Sequence, residues 1–416
     1  MKLSISKNIL YQIIFALCIA VPYLNNYELT FLVWTATMIL TLRKSYSKQL
    51  LIQVSLFTII LVVAFFSSFF HDFTNYDYIR DITYLAKPIL GLLIGYQLCR
   101  NNLKNPIKTV IYTGVLLAII HLTIVFYGIV FVGFRNIHQI RSYAGYFSDF
   151  EIYAIILILF CEKFGIQFSK KMKLTFISVL LISSVFYLSR TNFIQFGILF
   201  LAMKGYFVPN KRNLSVLFTL LFAGLLCYSA IVFYNPKRNG KGIEAFLYKV
   251  KIAPTEPFKT KINTEDYKDF NDNYRSVENI NTYRQVENDG VFTVIFGKGL
   301  GSKVDLKKDV WLDDTLLRHI SILHNGFMTV YLKSGILGVF LLFLSIFILF
   351  RKQATTVPEL TNLNYLITGT ALFLFISYWV FMGFYFKADT KAILLGLIFA
   401  LSERIKLNNP TQKLLE

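Results

Sequence analysis

Apolar runs of roughly 16 to 25 residues recur along this chain, each about long enough to cross the ~30 Å hydrocarbon core of a bilayer as a helix. They predict twelve helices, at about 8–24, 27–42, 50–70, 82–99, 109–134, 149–168, 174–188, 192–208, 214–234, 323–350, 363–384 and 390–405. Period-two alternation is missing from these runs, which excludes a membrane barrel. The stretch 174–208 as one helix would run ~45 Å at 1.5 Å per residue, too long for a single crossing. It therefore divides into a hairpin with Ser189-Arg190-Thr191-Asn192 at its tip.

Every second connection is basic: Arg43, Lys44 and Lys48, then Arg100, Lys104 and Lys108, then Lys170, Lys171 and Lys173, then Lys204, Lys211 and Arg212, then Arg351 and Lys352. Under the positive-inside rule these face the cytoplasm, together with both termini. The expected fold class is an all-α polytopic membrane protein in three parts: helices one to nine over 1–234, a large extracytoplasmic segment over 235–322, and helices ten to twelve with a cytoplasmic tail over 323–416. Residues 71–81, 135–148, the Arg190 tip and 387–391 also fall outside. The first run follows Lys2 and Lys7 like a signal peptide, yet no small-residue cleavage site precedes the next run, so it reads as a retained helix. The segment 235–322 is too poor in Gly and Ser for a flexible linker. It predicts an amphipathic helix near Asp272–Asn288, a strand-like run at Val291–Phe296 and a tight turn at Gly297-Lys298-Gly299-Leu300-Gly301.

Composition sharpens this picture at three points. With 55% hydrophobic residues, 17% aromatics and a mean hydropathy of +0.54, the chain cannot be an ordinary soluble protein. The formal charge of +19 resembles that of a nucleic-acid binder, but 235–322 carries 15 Lys+Arg against 13 Asp+Glu. The excess thus lies mainly in the short connections and is a topology signal. Cys18, Cys99, Cys161 and Cys227 lie in or beside apolar runs, away from any exported loop, and read as inert packing residues.

The candidate chemistry is basic. His324 precedes Asn325, a good N-cap, so the ring would stand at the positive end of a helix dipole and stay neutral, fit to accept a proton. The competing reading is an interfacial histidine that merely caps a helix. Arg141 ends an outer loop, and Arg190 occupies the hairpin tip; each would either fork a phosphate or snorkel to the headgroups. Arg275 and Arg284 are nine residues apart on one predicted helix, about 180° round it, so both cannot face one site. Each has a glutamate at i+3, Glu278 and Glu287, as a surface ion-pair partner. His71, His121 and His138 are isolated, His319 and His324 with Asp313 and Asp314 make a poor metal site, and Lys87-Pro88 marks a kink with a lysine turned inward.

Four motifs in this order resemble the superfamily of O-antigen ligases and O-antigen polymerases: Arg141 with Gly145 before a span, Leu188-Ser189-Arg190-Thr191 at a hairpin tip, Phe296 to Gly301 late in the long outer segment, and His324-Asn325 leading into Tyr331-Leu332-Lys333-Ser334-Gly335. The resemblance is clearest over about 180–345. It implies a GT-C-like enzyme that takes a glycan from undecaprenyl diphosphate and joins it to an acceptor glycan outside the cytoplasmic membrane, with no metal or other cofactor. It implies His324 as the base for the acceptor hydroxyl, and Arg141 and Arg275 as binders of the donor diphosphate. Arg190, Arg284 and Asn325 would support them, with Arg284 the alternative to Arg275.

The implied partners are the lipid-linked donor, the acceptor glycan, the bilayer, a chain-length regulator and a flippase, but no nucleic acid. The leading expectation is a polymerase of repeat units for an O-antigen or capsular polysaccharide. The alternative is a ligase that moves the finished glycan to lipid A-core or to protein. A flippase or transporter for the same lipids ranks last, because transporters show two related halves and this chain shows no internal repeat.

Overall fold

The structure is a computed structural model that describes residues 6–409 except 72, 102, 146–147, 188, 241, 264, 313–314 and 351–354. The N-terminal part holds α1 (Lys7–Ala20), α2 (Tyr27–Leu40), α3 (Lys48–Ser67), α4 (Asn75–Asn101) and α5 (Pro106–Tyr127). It continues with a short α6 (Ile137–Ala144), then α7 (Asp149–Leu159), α8 (Lys170–Tyr187), α9 (Arg190–Met203) and α10 (Lys211–Tyr234). The middle segment contributes α11 (Ile243–Ile252), α12 (Tyr267–Asp272), α13 (Tyr274–Asn288), α14 (Val291–Phe296) and an antiparallel hairpin of β1 (Val304–Leu312) and β2 (Thr315–Ile320). The chain closes with α15 (Gly326–Phe347), α16 (Pro358–Val380) and α17 (Lys391–Asn408). Helix starts follow from local chemistry: Asn26, Ser47, Ser148, Asn210 and Asn325 each turn a side-chain oxygen onto the free amides of the first turn.

Among the described residues, seven helices are long and apolar enough to cross a membrane. The solvent these helices are built for is read best from α10. It is apolar throughout and buries none of its residues, with Phe218, Phe222 and Phe233 more than 60% exposed. In water such a surface would aggregate, and in lipid it is at home. The protein is therefore membrane-embedded and essentially all-α, with one small hairpin. The main core runs through α4, α17, α3 and α15. The middle segment closes on the bundle over a smaller apolar cluster of Val286, Val304, Leu306, Ile320, Leu323 and Leu332.

Four local expectations need correction. Helix α4 begins at Asn75, seven residues before the predicted start, because its polar first turns are satisfied by ion pairs of Asp77 with Arg80 and Lys303 and of Asp81 with Lys333. Helix α7 ends at Leu159, well short of 168, and a single tighter turn of Cys161–Phe164 follows. Val291–Phe296 is helical rather than strand-like. Lys391, counted with an outer loop, is 1% exposed and bridges the buried Asp149 and Asp389. Lys87 does turn inward, donating to the carbonyls of Phe386 and Lys387. Of the residues singled out from sequence, Lys2, Leu188, Asp313, Asp314, Arg351, Lys352 and the His138 side chain lie outside the described set.

The glycine turn has a structural task. Helix α15 breaks at Gly335, whose φ of 63° and ψ of −163° are non-helical, so carbonyls just upstream lose their helical partners. The turn replaces them: Lys298 N donates to Leu332 O at 2.8 Å and Gly299 N to Lys333 O at 3.1 Å. Its other side meets α3, where Leu300 N donates to Ala64 O and Ser67 Oγ to Phe296 O. Gly297 has a φ of 81°, and a Cβ there would lie 2.4 Å from Ser334 N. Gly297→Ala is expected to cost about 2 kcal/mol or more through strain and displacement of α15. Thermal unfolding of the detergent-purified variant checks this; an unchanged melting temperature would contradict the close approach.

Candidate active site

The site assembles at the junction of β2 and α15. Asn325 Oδ1 accepts from Phe327 N at 3.0 Å and Met328 N at 3.2 Å, which fixes the helix start. The His324 carbonyl accepts from Met382 N at 2.9 Å, pinning the same residue to the turn after α16. Its side is fixed by α13: Glu278 Oε2 accepts from His324 N at 3.1 Å, and Glu278 Oε1 lies 3.0 Å from Nδ1. A carboxylate offers acceptors only, so Nδ1 carries the hydrogen and Nε2 presents its lone pair. The Tyr274 ring packs edge-on to the imidazole at 5.6 Å.

This geometry reverses the expectation of a ring held neutral by the helix dipole. Burial lowers the affinity of the imidazole for a proton, but the charge and hydrogen bond of Glu278 outweigh it, and the His324 pKa ends above its ordinary value of 6.5. The arrangement makes His324 a stronger base. Glu278 is 1% exposed and is not the surface partner of Arg275 that i+3 spacing suggests. Arg275 Nη1 instead binds Glu256 Oε2 at 3.2 Å.

Three of the four candidate arginines lie within electrostatic reach of one another, and Arg275 also acts on His324. Arg190, the first residue of α9, donates to Lys249 O at 3.0 Å and is repelled by the charges of both Arg275 and Arg141. The fields of Arg275 and Glu256 also reach His324. Arg141 lies in the last turn of α6, whose C-cap Gly145 has a φ of 120°. Arg284 is exposed on α13, whereas Arg275 acts on the charge of His324.

No protein-family model matches the chain, and no curated protein does. The site must therefore be read from its own chemistry.

His324 and Glu278 open onto a cavity of about 1030 Å³. Arg141, Arg190 and Arg275 are not in its wall, although Ser142 to Gly145, which follow Arg141, are. Its wall also carries a network, of His121, Glu151 and Tyr187, that the sequence did not suggest. His121, read there as isolated, shares a 2.8 Å hydrogen bond between Nδ1 and Ser183 Oγ, and Ser183 donates to Glu151 Oε2 at 2.6 Å. Tyr187 stacks on the His121 ring at 3.8 Å and donates to Glu151 Oε1 at 3.2 Å. Glu278 did leave a signal: it shares a helical stripe with the buried Thr282 and Val286, and a carboxylate on a core-facing stripe requires a partner.

Taken together, these groups offer an oriented base, a concentration of positive charge next to it, and a large partly polar cavity. They suit the transfer of an activated group to a hydroxyl with an anionic leaving group.

Proposed function

We propose that this chain is a membrane glycosyltransferase that polymerises undecaprenyl-diphosphate-linked oligosaccharide repeat units into a surface polysaccharide of O-antigen or capsular type. In this reading twelve helices cross the cytoplasmic membrane, both termini are inside, and the site faces outward. The observation that carries the proposal is the buried Glu278 holding His324 with Nε2 free to accept, with Arg275 acting on the ring and Arg190 in electrostatic reach of both Arg275 and Arg141.

The chemistry needs little more. Nε2 of His324 takes the proton of an acceptor hydroxyl as that oxygen bonds to the anomeric carbon of the donor. The bond from that carbon to the diphosphate oxygen breaks, and undecaprenyl diphosphate leaves with the electron pair. Its two or more negative charges are met by the arginines, whose planar forks suit phosphate. A flippase that delivers the donor and a regulator of chain length would be the partners of such an enzyme.

The lipid-linked glycans of a deletion strain test the proposal. Single lipid-linked repeat units should accumulate and long chains vanish, with restoration by the intact gene. An Arg141→Ala copy should restore less than about 1% of the rate, since one contact to developing negative charge is typically worth ~3–4 kcal/mol. Full-length chains stranded on the lipid carrier would instead indicate a ligase, and an unchanged profile would exclude both.

A further inference from the structure

The cavity next to His324 has a second cationic region, built from other elements than the arginine cluster. Arg80 on α4 and Lys303 just before β1 both line it, and Asp77 lies between them. Asp77 Oδ1 is 2.8 Å from Arg80 Nη1, and Oδ2 is 2.7 Å from Lys303 Nζ. Asp77 itself is buried, whereas the side chains of Arg80 and Lys303 are 21% and 35% exposed. Both cations thus stay partly exposed in the cavity wall while Asp77 links them, and Arg80 Nη2 also lies 3.4 Å from Asp81 Oδ1.

The charge count is unbalanced. Asp81 is engaged by Lys333 and by Gly301 N, so Asp77 and Asp81 together face Arg80, Lys303 and Lys333. One positive charge remains over. The other carboxylates in the wall belong to separate hydrogen-bond networks, Glu278 with His324 and Glu151 with Ser183 and Tyr187. Lys387 lines the same cavity apart from this group, over the Tyr27 ring at 5.3 Å from its centre. Tyr27, Tyr76 and Tyr84 also line it, the flat faces and hydroxyls on which sugar rings stack.

Around Arg80 and Lys303 themselves the excess is one positive charge, which a single carboxylate matches. We propose that this cavity binds an acidic sugar, with a uronic-acid carboxylate held between Arg80 and Lys303. That this sugar belongs to the acceptor glycan rests on the function proposed above; the binding preference does not.

The test uses the full chain in detergent and measures affinity by thermophoresis for three probes: a glucuronic-acid-containing tetrasaccharide, the same compound with its carboxyl groups reduced to alcohols, and farnesyl diphosphate. The acidic tetrasaccharide should bind at least about tenfold more tightly than the reduced one, the worth of a charge-assisted hydrogen bond pair. Lys303→Gln should abolish that preference and Lys303→Glu should invert it, while His324→Ala retains it. Lys303 is chosen because it has one ion-pair partner and is the more exposed of the two. Equal affinity for the reduced compound, no tetrasaccharide binding, or a Lys303→Gln loss confined to farnesyl diphosphate would each overturn the proposal. If the preference holds while His324→Ala cells keep their long chains, the acidic-sugar site stands and the transferase reading falls.

Discussion

Replacing His324 by alanine is expected to lower glycan transfer by about 10² to 10⁴, the usual worth of a positioned general base. The rate should fall in kcat/KM for purified protein with a lipid-linked donor, with little change in donor affinity, because the arginines remain. The pH profile gives the more specific test. His324 holds its proton more tightly than a free histidine, so below its raised pKa it is the imidazolium and cannot act as base. Activity should therefore climb with pH through a value above 6.5. Glu278→Ala removes the largest upward influence and leaves burial and Arg275 pushing down against the smaller upward pull of Glu256. Its acidic limb should move to lower pH as its maximum rate falls. Glu278→Gln should be at least as damaging, because an amide nitrogen donating to Nδ1 would put the hydrogen on Nε2, the wrong tautomer for accepting a proton. Transfer undiminished in His324→Ala, or an acidic limb that stays in place in Glu278→Ala, would sink the assignment.

Much of the helical frame was legible because lipid-length apolar runs are a strong, local signal. Each of the twelve intervals read from the sequence falls on a helix, and the division at Ser189 is where α8 gives way to α9. Misreadings came where the deciding partner is distant. Glu278 was assigned to Arg275, three residues away, and is claimed by His324, forty-six residues on. The polar start of α4 looked like a loop until Lys303 and Lys333 are brought to it. Val291–Phe296 is a short apolar run, for which periodicity cannot separate helix from strand. The β1–β2 hairpin escaped for the opposite reason. Its register shifts between Asp305 and Val310, and Lys307 has a φ of 59°, so the alternation that would announce a strand is interrupted.

Removing the Asp81 carboxylate should be the most destabilising single change in the site's surroundings, for a reason that also explains why the glycine turn holds. Lys333 and Asp81 are each 1% exposed and lie 2.5 Å apart, two charges withdrawn from solvent about 10 Å along α15 from its start at 1.5 Å per residue. Asp81 Oδ2 also accepts from Gly301 N at 2.7 Å, and Lys333 Nζ donates to Ser302 O. One ion pair thus ties α4, the glycine turn and the broken part of α15 together, directly beneath the Arg80 and Lys303 wall. Asp81→Leu would leave the Lys333 ammonium buried without a counter-charge, which costs about 3–5 kcal/mol. The double variant Asp81→Leu with Lys333→Met removes both charges and should recover most of that loss, since a buried pair exchanged for apolar groups of similar volume is close to neutral. It should not recover the Gly301 hydrogen bond, so a residual deficit of about 1 kcal/mol is expected. Chemical denaturation of the purified single and double variants measures the difference. A double variant as unstable as the single one would mean that the carboxylate acts through the turn alone and that the buried ammonium needs no partner.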